Sequence, residues 1–148
     1  MKGSLIAGAL ALALTSAVLA EPVWDTPIQP HSPPLSQHLD ENWMLPVRSS
    51  LLRPGTVDPR ALDMPGLPPF FLVGGDPRSL SWLRENSTRL RTMGAVGLAV
   101  EVADAAALER IREAARGLSI LPVNGDDIAA RLQIHHYPVL ITATGLRQ

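Results

Sequence analysis

Proline is distributed unevenly along this chain of 148 residues, and its distribution limits what each part can fold into. Eleven of the fourteen prolines lie in residues 21–69, in runs such as residues 30–34 and 65–69. Proline lacks an N–H donor and disrupts helix interiors and central strands. We therefore predict that residues 21–69 form a mostly extended arm, with room for one short helix from about Ser36 to Met44.

The sequence leaves two interpretations of this arm open. The arm is either a bare spacer or a segment that docks against the rest of the protein, because it contains several large apolar side chains. These are Trp24, Trp43, Met44, Leu45, Leu51 and Leu52.

The first twenty residues have the layout of a secretory signal peptide. Lys2 provides the positive start, and residues 5–14 form the apolar middle. Residues 18 and 20 place small enough side chains at positions −3 and −1 for cleavage before Glu21. A membrane anchor needs about 20 apolar residues, which is more than this run provides. We therefore predict cleavage after residue 20. The product is a periplasmic chain of 128 residues, one domain in length, with no membrane span.

Composition excludes several classes of function. The chain has no cysteine, which excludes disulfides, thiol redox chemistry and cysteine metal sites. Its only lysine is Lys2, so the positive charges of the mature chain are twelve arginines, against fourteen acidic residues. This balance provides no basic footprint, and we predict no direct contact with nucleic acid.

Strand patterns recur at regular intervals from Phe70 onward. Residues 70–73 form a continuous apolar run, which is typical of a strand buried on both faces. Residues 96–102 alternate with period two, and Pro122 limits the third predicted strand to an edge or a strand end. The four predicted strands are Phe70–Val73, Val96–Val102, Leu118–Val123 and Val139–Ala143.

Helix patterns fill the intervals between these strands. Asp76 followed by Pro77 predicts the start of a first helix, which Gly94 ends. Asp104 begins a second helix, and the third begins at residues 124–126. The resulting order β-α-β-α-β-α-β predicts an α/β layer domain over residues 70–148. The arginines of the first helix, Arg84, Arg89 and Arg91, are predicted to face solvent, and the alternative is that they face a partner.

One part of this domain resembles the thioredoxin-like fold. In residues 128–141 a short helix leads through Tyr137-Pro138 into a strand, and in that family the proline is cis and faces the active-site turn. Residues 74–77, Gly-Gly-Asp-Pro, occupy the place of the family's Cys-x-x-Cys turn. Because both cysteines are missing, the resemblance implies the scaffold and a cis Tyr137–Pro138 bond, but no redox chemistry.

A closer resemblance is to a family of exported proteins without an established activity. Integrating conjugative elements encode this family among genes for a type IV secretion apparatus. The segments that carry the resemblance are residues 101–104, 121–127 and 135–145. The domain is also similar to periplasmic pilus-assembly proteins of F-type conjugation systems. These resemblances imply partners among secretion-system or pilus-assembly proteins.

The adjacent histidines, His135 and His136, are the most conspicuous candidates for metal ligands. Neighbouring side chains in an extended segment point in opposite directions, so one metal ion does not easily take both. The chain also lacks cysteine and the H-E-x-x-H spacing. We therefore predict no metal and no other cofactor. One imidazole is expected to pack beside Pro138 and the other to be solvated.

Two other polar features have structural explanations. Asp126 and Asp127 begin the third predicted helix, where carboxylates accept backbone N–H groups, so we predict capping rather than catalysis. Gly74-Gly75 lacks the dinucleotide fingerprint G-x-G-x-x-G. The favoured interpretation is a tight strand-to-helix turn, and the alternative is a set of N–H groups that hold an anion.

We expect the protein to be a non-enzymatic periplasmic component of a conjugative type IV secretion system that acts through protein contacts. It would serve conjugative DNA transfer or pilus assembly. The alternative is a small periplasmic enzyme or ligand-binding domain that uses the turn at residues 74–77 opposite Pro138. An enzyme needs titratable groups that converge there. The sequence offers only Asp76, Arg78 and the histidine pair, so we assign no catalytic residue.

The last predicted strand, residues 139–143, is expected to be an exposed edge. Gly145 offers a turn, but the printed sequence ends three residues later, at Gln148. An unpaired edge is a template for strand addition by a partner. The alternative is that the arm folds back over this edge, with Trp24 or Trp43 packing on it.

Overall fold

The computed structural model describes residues 41–148. The predicted signal peptide, Trp24 and most of the helix predicted from Ser36 lie outside the described residues. Within them, residues 41–44 form one turn of 3₁₀ helix. No helix in residues 41–148 has both the length and the apolar character needed to cross a membrane.

The described chain is a mixed α/β domain, as the alternation of strand and helix patterns predicts. Six strands form one sheet in the order β2-β8-β7-β3-β4-β5, and β1 pairs with β6 in a separate ribbon. Strands β3, β4 and β5 are parallel, whereas β7, β8 and β2 are added antiparallel. The elements are β1 (Arg53–Pro54), β2 (Arg60–Ala61), β3 (Phe70–Gly74), α1 (Pro77–Thr92), β4 (Val96–Glu101), α2 (Ala105–Ala115), β5 (Ile120–Pro122), α3 (Asp126–Leu132), β6 (His136–Tyr137), β7 (Val139–Thr142) and β8 (Gly145–Arg147).

The predicted boundaries of α1 and α2 are confirmed by their caps. The Asp76 side chain accepts a hydrogen bond from the Ser79 backbone N–H at 3.0 Å, and Asp104 accepts from Ala107 at 2.8 Å. Gly94 follows α1 with φ +66°, a left-handed conformation that glycine adopts without steric cost. The exposure predicted for the three α1 arginines is also confirmed.

Two hydrophobic clusters lie on opposite faces of the sheet, because side chains alternate along each strand. Phe71 and Val73 face α1 and α2, whereas Leu72 faces α3 and part of the arm. Leu52, which is 4 % exposed, belongs to the second of these clusters. The arm therefore supplies part of the core.

The prediction of an exposed edge at residues 139–143 is wrong. Strand β7 lies between β3 and β8, because the chain turns at Ala143-Thr144 and returns as a three-residue strand. Strand β8 pairs in turn with β2 of the arm. The arm thus covers this side of the sheet, but Trp43 is 81 % exposed and does not pack there.

The described half of the arm docks by backbone pairing as well as by burial. Val47 and Val102 exchange two backbone hydrogen bonds of 2.9 Å. In the β1–β6 ribbon, the Arg53 N–H donates to the His135 carbonyl at 3.0 Å. The bare-spacer interpretation is wrong for this half of the arm.

The free edge of the sheet at β5 offers few groups to another strand. Residues 119 and 123 hydrogen-bond to β4 through their backbone. The backbone groups of residues 120 and 122 therefore point to the other side of β5. Pro122 has no N–H to donate, and the Ile120 carbonyl accepts from the Arg112 guanidinium at 3.4 Å. The limit that Pro122 places on this strand is confirmed, because β5 is an edge strand.

Candidate functional site

A groove of about 610 Å³ lies where the parallel strands β3 and β4 end. Arm residues 48–54 form one wall, and residues 101–110 form the opposite wall. Gly75, Asp76 and Tyr137 line it between these walls. We call it the strand-end groove. Open α/β sheets generally bind their ligands in a crevice beyond the carboxyl ends of parallel strands.

The turn at residues 74–77 satisfies its own polar groups. The Gly74 N–H donates to the Ser79 hydroxyl oxygen at 3.0 Å, and the Gly75 N–H donates to the Glu101 carbonyl at 3.1 Å. The Ser79 hydroxyl in turn donates to the Asp76 carboxylate at 2.7 Å. The prediction of a tight strand-to-helix turn is confirmed. The alternative, an anion held by these two N–H groups, is wrong because both already have acceptors.

Tyr137 brings the second predicted element to this turn. The Tyr137–Pro138 bond is cis, as the resemblance implied. A Cβ added at Gly74 would lie 2.6 Å from Cε2 of Tyr137, so only glycine allows the ring to pack so closely on the turn. The structure therefore brings Gly74, Gly75, Asp76 and Pro77 together with Tyr137 and Pro138.

The Tyr137 hydroxyl has a shifted acidity. Burial, followed by the charges of Asp76 and Glu101, raises the pKa of Tyr137 to about 12. Both causes disfavour the phenolate. This environment therefore makes ionisation of the hydroxyl less favourable than for an ordinary tyrosine.

Glu101 and Ser49 attach the arm to the wall of the groove. A Glu101 carboxylate oxygen accepts from the Ser49 N–H at 3.2 Å. The buried Ser49 hydroxyl donates to the Val100 carbonyl at 2.6 Å and accepts from the Gly125 N–H at 2.8 Å. These three hydrogen bonds hold the arm at Ser49 in its position along the strand-end groove. Sequence analysis did not identify Ser49, because a lone serine in an arm has no periodic pattern.

Three arginines also line the strand-end groove. Arg48 and Arg53 belong to the arm, and Arg110 belongs to α2. All three are exposed, and none makes an ion pair or side-chain hydrogen bond within residues 41–148. Asp76 and Glu101 are held by backbone and hydroxyl donors instead. The fold brings these arginines together from distant positions, so no spacing in the sequence indicates them.

His135 and His136 do not form the predicted pair of one packed and one solvated imidazole. Both residues are exposed. The His136 ring lies against Gly55 of the arm, where an added Cβ would be 2.3 Å from its Cδ2 atom. Pro138 is fully buried. Within residues 41–148, no three acidic or histidine side chains are grouped as a metal site requires.

The hydrogen-bonded capping predicted for Asp126 and Asp127 is wrong. Gly125 is the N-cap of α3 and makes no side-chain cap bond, and the Asn124 side-chain oxygen accepts from the Asp126 N–H at 2.8 Å. The Asp126 carboxylate instead accepts from two arm N–H groups, those of Leu51 at 2.8 Å and Ser50 at 3.1 Å. Asp127 forms an ion pair with Arg131 at 3.0 Å. The Asp126 carboxylate binds the arm turn rather than the first turn of α3, because the arm turn offers it two N–H groups at once.

The Leu51 N–H holds the pKa of Asp126 below its ordinary value of 3.8. Desolvation opposes this shift, and the Ser50 N–H and the Asn124 side chain add to it. Asn124 also donates to the Arg48 carbonyl at 2.7 Å. Residues 124–126, at the start of α3, therefore hold arm residues 48–51 in place by hydrogen bonds, which we call a clamping role.

The fold and the groove together define a class: a small mixed α/β domain with a proline-rich arm fastened beside the carboxyl ends of its parallel strands. The chain belongs to the family described as protein of unknown function (DUF2859), which matches residues 7–146. No curated protein and no solved structure matches the chain.

Proposed function

We propose that this protein is a non-enzymatic periplasmic component of a conjugative type IV secretion system. It belongs to an integrating conjugative element and acts through protein contacts in DNA transfer or pilus assembly. The scaffold is a thioredoxin-like domain without the cysteine pair.

One observation carries the proposal. The three segments that resemble proteins of conjugative elements are distant in the sequence, yet each of them holds the arm. Glu101 accepts from Ser49, residues 124–126 fasten residues 48–51, and residues 135–137 pair with residues 53–55. These three segments therefore share one role, which is to hold arm residues 48–55 in a fixed position on the surface of the domain. Such a surface suits a protein that acts by binding other proteins.

The turn also supports a role without catalysis. In an enzyme, polar groups at this turn would be available to a substrate. Here the Gly74 and Gly75 N–H groups and the Asp76 carboxylate are occupied within the turn and its neighbours. The pKa of Tyr137 is raised to about 12, so burial and the nearby acids disfavour its phenolate form further.

Topology supports the thioredoxin-like part of the proposal. Strand β3 lies inside the sheet between parallel β4 and antiparallel β7, and β8 follows as a hairpin partner of β7. The cis proline immediately precedes β7, and the Tyr137 ring before it packs on Gly74 at the turn before α1. The pairing of β5 in parallel with β4 and the addition of β2 extend this pattern at both edges.

A second candidate, a ligand-binding domain or small enzyme, is favoured by the position of the strand-end groove. The groove lies at the carboxyl ends of β3 and β4 and is lined in part by Tyr137. Under this alternative, Tyr137 would take part in binding or chemistry.

Conjugative transfer distinguishes the two candidates. Deleting the gene in a donor strain is expected to lower transfer frequency, and the full-length gene should restore it. Tyr137→Phe should restore transfer as well as the wild type, because phenylalanine keeps the ring that packs on Gly74. Unchanged transfer after deletion would contradict a role in conjugation. Failure of a stable Tyr137→Phe variant would favour the second candidate.

A further inference from the structure

The strand-end groove has an unbalanced distribution of charge partners. Its two carboxylates, on Asp76 and Glu101, accept hydrogen bonds from Ser79 and Ser49. Its three exposed guanidinium groups have no anionic partner within residues 41–148. Among the described residues, the acids are therefore engaged by donors of the fold, whereas the arginines have no partner and are open to a ligand.

The backbone positions of these arginines are fixed before any ligand binds. The Arg48 carbonyl accepts from Asn124 at 2.7 Å, and the Arg53 N–H donates to His135 at 3.0 Å. Arg110 lies on α2, whose first turn is capped by Asp104. A binding surface with fixed backbone loses less conformational entropy when its ligand binds.

Recognition here would depend on side chains rather than on strand addition. Arg53 and Gly55 donate their backbone N–H groups to β6. The backbone of residue 54 therefore points to the opposite, free side of β1. Because residue 54 is proline, that side has no N–H there to offer an incoming strand. Guanidinium groups, in contrast, form paired hydrogen bonds with carboxylates.

We propose that the strand-end groove binds an acidic segment of a partner protein through Arg48, Arg53 and Arg110. This inference rests on the proposed function and adds the chemistry of the partner. The groove volume of about 610 Å³ exceeds what one small anion fills. A peptide can place separate carboxylates on separate arginines while keeping them away from Asp76 and Glu101. A dense polyanion would bring its charges close to those acids.

Binding of a model peptide to the purified mature protein tests this proposal. The probe is a fluorescent peptide of alternating Glu and Ser, and its matched control replaces each Glu with Gln. We expect fluorescence anisotropy to show binding of the Glu peptide alone, weakening as salt concentration rises. The combined variant Arg48→Gln, Arg53→Gln, Arg110→Gln should bind about tenfold more weakly, since three exposed ion pairs are lost.

A matched variant controls for overall charge. Arg84→Gln, Arg89→Gln, Arg91→Gln removes the same charge from α1, outside the groove, and should bind the Glu peptide like the wild type. Unfolding curves of both variants should match that of the wild type, because all six side chains are exposed. Equal weakening by both variants would overturn the proposal. So would equal binding of the two peptides, absence of binding, or competition by inorganic phosphate as effective as that by the Glu peptide.

Transfer assays separate this inference from the proposed function. If deletion lowers transfer, the α1 variant should restore it and the groove variant should not. Full restoration by the groove variant would overturn the inference and leave the proposed function intact. If deletion has no effect, the proposed function fails, and the peptide measurements still decide what the groove binds.

Discussion

At the scale of single residues, the attachment of the arm depends on polar groups that join distant parts of the chain. Asp126 is separated from Leu51 by 75 positions, yet it accepts the Leu51 N–H at 2.8 Å. Ser49 joins the arm to both Val100 and Gly125. Such contacts fix a segment that has little regular secondary structure of its own.

Replacing Asp126 with Asn should loosen the arm turn. The amide side chain removes the negative charge from the bonds to the Ser50 and Leu51 N–H groups, and charge-assisted bonds are the stronger kind. We expect faster hydrogen exchange at the Leu51 amide. Asp127→Asn is the matched control, because Asp127 pairs only with Arg131 of its own helix, and it should leave that amide unchanged. Equal exchange in all three proteins would contradict a clamping role.

The same contact predicts a loss of stability in acid. The folded-state pKa of Asp126 lies below its ordinary value of 3.8. Its contribution is therefore present above that value and lost as pH falls through the folded pKa. The acid-induced loss of protection at the Leu51 amide, measured relative to its intrinsic exchange rate at each pH, should be smaller in Asp126→Asn, which has no carboxylate there to protonate.

At the scale of elements, side chains of β3 and β5 fill the space over one position of β4, which therefore requires glycine. A Cβ added at Gly97 would lie 2.3 Å from Ile120 Cδ1 and 2.6 Å from Phe71 Cζ. Both neighbours belong to the core on the α1–α2 face. The small residue in β4 is therefore needed for packing between β3, β4 and β5.

Gly97→Ala should lower the free energy of unfolding by about 1–3 kcal/mol, the usual cost of overpacking a core. Gly75→Ala is the control, because its Cβ would meet only ordinary contacts, the nearest at 3.6 Å from Ala107. Urea denaturation of both variants measures the difference. A Gly97→Ala protein as stable as Gly75→Ala would show that the core accommodates the methyl group.

Sequence patterns identified the longer elements but not the short ones. Helices α1 and α2 and strands β3 and β4 carry enough residues for periodicity and caps to appear. Strand β2 forms by pairing with a distant segment, and β8 is a three-residue hairpin return of β7 that is too short to show a period of two. This is why the strand at residues 139–142 was mistaken for an edge.

The candidate site was predictable only in part. The turn at residues 74–77 and the Tyr137–Pro138 junction follow from cap residues and a family resemblance. Arg48, Arg53 and Arg110 meet through the fold alone, so no motif contains them. Because no lysine follows Lys2 in the sequence, arginine is the residue that supplies permanent positive charge to the described residues.

At the scale of the whole molecule, the described arm belongs to the core of the domain. Leu52 is 4 % exposed and packs in the same cluster as Leu72 and Val139, whereas its neighbour Leu51 is 51 % exposed. The strand-end groove has an arm wall, so its shape depends on this packing. Folding and the formation of the groove are therefore coupled.

Leu52→Ala should reduce the free energy of unfolding by about 2–5 kcal/mol, as expected for a buried leucine. Leu51→Ala is the matched control and should change it by about 0.5 kcal/mol or less. Thermal unfolding followed by circular dichroism measures both. If Leu52→Ala unfolds like Leu51→Ala, the arm is not part of the cooperative unit.

The prolines on the outer strand edges of the described residues affect how copies of the protein can associate with one another. Pro122 on β5 and Pro54 on β1 each remove a donor that a neighbouring copy would need for edge-to-edge pairing. Growth of a fibre by repeated pairing at these edges is therefore disfavoured. Under the proposed function, the number of copies in an assembly would be set by binding sites on the partners rather than by edge-to-edge pairing.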